Sequence, residues 1–410
     1  MKILMISPNF SPELTGIGKY SGELAQWLTE RGHQLEVFCT KPHYPMWEVD
    51  KNYRVSGYIT EIRDGMTVRR IPCFIPKPDK VTTRNRLLME FTFNFMSMRH
   101  WVPTLFRRNR FDMVLVVAPP FSTALFPILF CKLRRLPLIT HVQDLQIDVA
   151  LSLGMLRKNK LVQALLRIEK FIFEHSALVS TISCSMKAKI DSKRANSRTT
   201  LIPNWTDISS IYPRDTNTDL RSSLNLPANS YVCMYSGNLG EKQGLEIILR
   251  TAQFIRSSSQ LHFVICGNGG SKSRLVELSR SLDLDNVTFL PLQPEERLNE
   301  LLASADLHLV IQKTGTSDLV MPSKVTNILA AGRPILTNAE PGTELYEIVK
   351  LNSLGYVCEN NEKDLANKIL QATVEPKPFD LQQNCRRYAE LNLVKDKILS
   401  DLEIELKGLL

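Results

Sequence analysis

A strand–helix alternation that runs through the chain twice is the strongest constraint on its fold. Short apolar runs alternate with amphipathic stretches, and such repetition builds a parallel sheet with helices on both faces. In the first half the strands are read at Lys2–Ser7, His33–Thr40, Val68–Pro72, Phe111–Val117, Leu138–Val142 and Ala177–Ile182. Ile17–Arg31 is a helix with Tyr20, Leu24, Trp27 and Leu28 on one face, stopped by Gly32. Phe111–Val117 is apolar but for Asp112, as a strand covered on both faces requires. The series breaks at Ile202-Pro203-Asn204-Trp205 and the polar stretch Asp207–Asn229, then restarts. Strands follow at Tyr231–Gly237, His262–Cys266, Val287–Leu290, Leu307–Ile311 and Pro334–Thr337, and the chain closes on amphipathic helices at Gln382–Leu391 and Leu393–Lys407. The expected fold class is α/β, two Rossmann-like doubly wound halves with a ligand cleft at the C-terminal ends of their strands.

Composition narrows the partners. Lys and Arg number 51 against 42 Asp and Glu, a net charge of +9. That balance favours anionic ligands or surfaces, though a mildly basic solvated surface has the same count. The basic residues are spread out and form no nucleic-acid module, so no nucleic-acid partner is expected. Eight scattered cysteines without a C-x-x-C pair suit buried free thiols in a reducing compartment better than a disulfide frame or a zinc site. Lys2–Ser7 is too short for a signal peptide. The longest apolar stretch, Phe121–Cys131, is interrupted by Pro127 and falls well short of the ~20 residues that span a bilayer. The expected location is cytoplasmic, with room for peripheral contact with the inner face of the cytoplasmic membrane.

Five stretches carry the polar and glycine residues that chemistry needs. Gly16 and Gly18 open the first helix, where backbone N–H groups and the helix dipole attract an anion; a loop needing positive φ explains the same glycines. The spacing is not the dinucleotide G-x-G-x-x-G, because position 21 is Ser. Ser236-Gly237-Asn238-Leu239-Gly240-Glu241-Lys242-Gln243-Gly244 delivers one lysine on a glycine-rich turn, placed to act as a point charge on a diphosphate or simply exposed. It lacks the P-loop pattern of an ATPase. Cys266-Gly267-Asn268-Gly269-Gly270 is either a tight turn or a close approach to a ligand. Pro322-Ser323-Lys324 begins a helix on which Asn327 shares the face of Ser323 and Lys324, reading as an anion site or an ordinary capped start. In the first half, His141 and Asp144 sit just past a strand end, the usual place for catalytic side chains, where a lone histidine is also often structural.

These pieces in this order resemble the retaining glycosyltransferases of family 4, which have the GT-B fold, and the likeness runs essentially end to end. It is carried most specifically by Ser11-Pro12-Glu13-Leu14-Thr15-Gly16-Ile17-Gly18-Lys19-Tyr20 and Gly240-Glu241-Lys242-Gln243-Gly244-Leu245-Glu246, runs similar to those of the colanic-acid-type exopolysaccharide branch. The resemblance implies two Rossmann-like domains facing across a cleft. Residues 1–205, completed by a C-terminal helix at about 385–410, would take the acceptor, and 206–384 the nucleotide-sugar donor. It implies Lys242 on the diphosphate, Gly16 and Gly18 approaching it, Gly237, Asn238, Ser323 and Lys324 nearby, and the base beside Leu292. Asn238 stands where many members carry Arg. Asn327 stands where the family has a ribose-binding Glu, and the nearest acid to that Glu's partner is Asp318. Gln143 stands where relatives place a His, leaving Asp144, His141 and Lys242 as the catalytic candidates.

The implied reaction is retaining transfer of a sugar, fucose from GDP or another sugar from GDP or UDP, onto a lipid-linked oligosaccharide. It needs no metal and no cofactor beyond the sugar nucleotide. Arg84-Asn85-Arg86-Leu87-Leu88, Phe91–Met96, Arg99, Trp101, Arg107-Arg108 and Lys132–Arg135 form a basic, aromatic-rich set that suits an anionic membrane surface or a core helix with a solvated face. Two other readings stay open: a sugar-nucleotide epimerase on the same fold, and a non-catalytic GT-B assembly partner, which Asn238 and Asn327 motivate.

Overall fold

The computed structural model describes residues 1–13, 16–106, 111–152, 154, 159–194, 198–216, 219–223, 230–258, 260–313, 322–374 and 378–410, with only the backbone for Asp219, Lys242 and Pro378. Asp318 and Arg107-Arg108 lie outside them, as does the side chain of Lys242. The chain divides into two compact units, residues 1–203 with 399–410, and residues 204–398.

The first unit is an eight-stranded sheet: β1 (Lys2–Ile6), β2 (Gln34–Thr40), β3 (Ile59–Arg63), β4 (Met66–Ile71), β5 (Met113–Ala118), β6 (Leu138–Val142), β7 (Leu178–Thr181) and β8 (Arg198–Leu201). Their order is β3-β4-β2-β1-β5-β6-β7-β8, and all pairs are parallel except β3 with β4. Every residue of β5 and β6 is buried, which is why β5 is apolar throughout and β6 is apolar but for Thr140 and His141. Each Val, Leu or Ile buried there contributes about 1.5–3 kcal/mol of transfer free energy. Periodicity misses β3 and β8, short edge strands with polar outer faces. The β3–β4 hairpin does have a local signal: Asp64 and Gly65 take φ of 48° and 79°, the left-handed pair that a two-residue turn requires, with Arg63 opposite Met66.

The second unit is a six-stranded, wholly parallel sheet of β9 (Tyr231–Ser236), β10 (Leu261–Cys266), β11 (Val287–Leu290), β12 (Leu307–Val310), β13 (Ile335–Thr337) and β14 (Gly355–Val357), in the order β11-β10-β9-β12-β13-β14. The strand order reverses beside the first strand of each unit, between β1 and β5 and between β9 and β12. Doubly wound sheets bind ligands outside the C-terminal ends of strands at such points.

The chain returns to the first unit later than the expected 385. Cys385, Ala389 and Leu393 pack into the second unit's core against Val325, Leu329 and Ile335, so the helix Pro378–Asn392 belongs there. Only residues from Leu399 onward join the first unit, where Leu399, Leu402 and Leu406 are buried.

Candidate functional site

In the second unit, three turns meet at the C-terminal edge beside the strand reversal. The turns after β9 and β10 interlock through glycine. A Cβ on Gly267 (φ 149°) would lie 1.9 Å from the carbonyl oxygen of Gly237, and one on Gly269 (φ 157°) would lie 2.6 Å from that of Leu239. Leu239 N donates to Asn268 O at 2.9 Å, and Gly267 N donates to Leu290 O, tying in the turn after β11 that carries exposed Leu292. Gly267 and Gly269 therefore serve a close approach of backbone to backbone. That packing holds Gly237 and Asn238 in place at the sheet edge, with the Asn238 side chain exposed. Lys242 falls in the short 3-10 turn Glu241–Gln243, which Gly244 (φ 63°) ends.

Lys324 turns inward. Its Nζ lies 3.6 Å from the centroid of the Tyr235 ring and donates to Leu309 O at 3.1 Å. Burial pushes the Lys324 ammonium well below its ordinary pKa, and burial likewise raises that of the Tyr235 phenol. Tyr235 Oη in turn donates to Asn238 O at 2.9 Å. Lys324 thus spans β9 and β12 beneath the turn, with its Nζ held by a ring and a carbonyl. Ser323 is exposed and its hydroxyl caps nothing. Asn327 Oδ1 accepts from Thr206 Oγ1 at 2.7 Å.

In the first unit, the turn after β1 is organised by a buried carboxylate that spacing rules do not single out. Glu13 Oε1 accepts from the backbone N–H of His43 and of Tyr44, both at 3.0 Å, and Oε2 accepts from Asn9 Nδ2 at 2.9 Å. A Cβ on Gly18 would lie 2.5 Å from Glu13 Oε2, so glycine there lets the helix Gly16–Glu30 seat against this carboxylate. Gly16 takes φ 60° and faces the Tyr44 ring. Asp144 follows β6, half-buried, and its charge raises the pKa of the Tyr44 phenol together with burial, the dominant cause, and Glu13.

His141 is not on the open turn. It lies inside β6 opposite Ser180, 2 % exposed, and burial lowers its pKa to about 4. Its Nδ1 is 2.9 Å from Ser180 Oγ, and Gln143 Nε2 donates to its Nε2 at 2.6 Å. Both ring nitrogens are engaged, so His141 reaches the strand end only through Gln143, the residue it orients. Glu13 and Gln143 are therefore the polar residues that motif spacing passed over.

Residues 15–205 match the model described as a glycosyl transferase 4-like domain, and residues 216–392 match that of glycosyl transferases group 1. Over the whole length of both chains, this sequence is 37 % identical to the putative colanic acid biosynthesis glycosyl transferase WcaI of Escherichia coli K12. The chain is a family 4 glycosyltransferase. Its fold is GT-B: the glycosyltransferase superposes on a sucrose-phosphate synthase from Thermosynechococcus elongatus with a TM-score of 0.77 at 18 % identity, covering 100 % of this chain and 98 % of that one. On Anabaena HepE in complex with UDP and glucose the TM-score is 0.71 at 17 % identity, with both chains fully covered. Among the described residues, no helix of this glycosyltransferase is long and apolar enough to cross a membrane.

Proposed function

We propose that this glycosyltransferase works in exopolysaccharide assembly, moving a sugar from a nucleoside diphosphate, GDP-fucose or another GDP- or UDP-sugar, to a lipid-linked saccharide. The observation that carries the reading is the interlocked edge of the second unit, where glycine turns at the strand reversal deliver Gly237, Asn238 and the Lys242 turn to one place. The family and its kinship to WcaI support the pathway. HepE, solved with UDP and glucose, supports the donor class.

In the proposed reaction the bond from the anomeric carbon to the phosphate oxygen breaks. The acceptor oxygen bonds that carbon from the same face, and its proton passes to the departing phosphate. Lys242 and backbone N–H groups of the turns stabilise the charge that grows on the leaving group, with no metal ion. Lys324 supports the turn from below, through Leu309 O and the Tyr235 ring. Asp144 remains the acceptor-side candidate, with Gln143 beside it held by His141. The work takes place at the cytoplasmic face of the membrane, where the exposed apolar residues Leu88, Phe91 and Phe95 on the helix Thr83–Phe106 suit an anionic lipid surface.

A thermal-shift screen with GDP, UDP and their sugars, followed by donor hydrolysis without acceptor, tests this. One nucleoside diphosphate should raise the unfolding midpoint, and its sugar conjugate should be cleaved slowly. Neither stabilisation nor cleavage would leave a non-catalytic partner. Conversion of the free donor to an isomer would indicate an epimerase.

A further inference from the structure

We infer that Arg86, seated on Trp47, is the anion subsite for the acceptor, and that it recognises a diphosphate joined to a long apolar chain. The inference rests on the reading above that the acceptor is lipid-linked, and it names the residues that would hold that acceptor.

Arg86 carries a cation that no described carboxylate pairs. The Arg86 guanidinium lies 5.1 Å from the centroid of the Trp47 ring. Among the described residues it makes no hydrogen bond and no ion pair, and the residue is exposed. An arginine stacked on an aromatic face is held in one orientation with its fork of N–H donors outward, the arrangement that reads phosphate oxygens two at a time. Trp47 is itself fixed: its ring meets His43 at 5.7 Å and Tyr44 at 6.2 Å. The backbone N–H groups of both those residues are bound by Glu13.

The surroundings place this cation at the strand reversal of the first unit. One helical turn on, Glu90 accepts from Ser122 Oγ at 2.8 Å, just beyond the end of β5. Burial raises the Glu90 pKa, against the Ser122 bond and the charge of Arg86. The Tyr44 phenol feels the charges of Arg86, Glu13 and Asp144 together. Arg86 therefore stands in the same group of side chains as the acceptor-side candidate Asp144.

The other side of the same helix identifies what the anion is attached to. Leu87 and Leu88 follow Arg86 directly, and Phe91 and Phe95 stack with centroids 6.3 Å apart while remaining 66 % and 64 % exposed. The helix Leu125–Arg134, locked to this one through Trp101 and Phe130, adds exposed Leu125, Leu129 and Leu133. Runs of exposed leucine and phenylalanine on two adjacent helices need an apolar partner. An unpaired guanidinium at the edge of such a face fits an amphiphile with an anionic head, and neither a free nucleotide nor a plain sugar offers both parts.

Geranyl diphosphate, geraniol, inorganic diphosphate, GDP and UDP serve as probes on the full chain, read by calorimetry and tryptophan fluorescence. Trp27, Trp101 and Trp205 are buried, so half-buried Trp47 dominates any change on binding. Geranyl diphosphate should bind and shift that emission, and W47F should abolish the shift. R86A should weaken geranyl diphosphate by about 10- to 100-fold, the range for a lost charge-assisted hydrogen-bond pair, with R86K between. Affinity for GDP and UDP should be the same in R86A and wild type. Wild-type affinity for geranyl diphosphate in R86A overturns the proposal. Equal loss of nucleotide binding would assign Arg86 to the donor and also overturn it. Inorganic diphosphate bound as tightly as geranyl diphosphate removes the apolar chain from the recognition and refutes the lipid assignment. Donor hydrolysis by the wild-type enzyme is scored separately. Its absence beside Arg86-dependent binding sinks the transferase reading while the subsite stands.

Discussion

The Thr206 hydroxyl donates to Asn327 Oδ1 across 2.7 Å, which ties up the carbonyl side of that amide within the second unit. If Asn327 binds the donor, it would do so through its amide N–H groups. Asn327→Ala should raise the donor KM roughly threefold to tenfold with little change in kcat, as loss of one neutral hydrogen bond to the ground state does. Thr206→Val should raise it less. An unchanged KM in steady-state assays of both variants removes Asn327 from donor binding.

Lys242 is the strongest test of the phosphate clamp. Lys242→Ala should lower turnover by ~10²-fold or more, the cost of one lost oxyanion-type donor. Normal turnover with a verified donor would place the clamp elsewhere.

Glu403 ties the last helix into the first unit. It accepts from Arg31 Nε at 2.9 Å and Lys407 Nζ at 2.6 Å, and its other contact is His33 Nε2 at 2.9 Å. Burial alone would raise its pKa, but the bonds from Lys407 and His33 and the charges of Arg31 and Lys407 hold it at about 2. The folded pKa is depressed, so this stabilisation is complete above the unfolded value near 4.5 and is lost as pH falls toward 2. Glu403→Gln should cost about 1.5 kcal/mol at neutral pH, as weakening hydrogen bonds to a charged group does. Urea titration at pH 7 measures it; a midpoint equal to wild type would mean the cluster contributes nothing.

His141 gives stability a second acid limb. It is neutral in the fold down to pH about 4 but ionises near 6.5 when unfolded. The unfolded chain therefore binds more protons between those values, and stability falls as pH drops from 6.5 toward 4. His141→Asn, which keeps a donor for Ser180, should flatten the dependence of the denaturation midpoint on pH in that window. A slope identical to wild type would show that the ring is protonated in the fold.

The architecture was largely legible because its signals are local. Apolar runs such as Met113–Val117 show a strand buried on both faces, and turns placed after strands put Gly16, Gly237 and Lys242 at sheet edges. Edge strands were less so: β8 and β14 are three or four residues long and half exposed, so neither period nor apolarity marks them. The Asp64-Gly65 turn was present in the sequence as a hairpin sign and identifies β3 once its register is seen.

By itself the sequence determined the two strand–helix series and the glycine-rich turns at the strand ends, since these follow from periodicity and from residue types at fixed offsets, while its likeness to known glycosyltransferases carried the family. Only the tertiary structure decided where polar side chains point. Lys324 and His141 look like site residues by position. Packing turns one beneath Tyr235 and the other against Ser180, because a buried polar group must take the partner its neighbours supply. The same packing stacks Arg86 on Trp47, 39 positions apart in the chain.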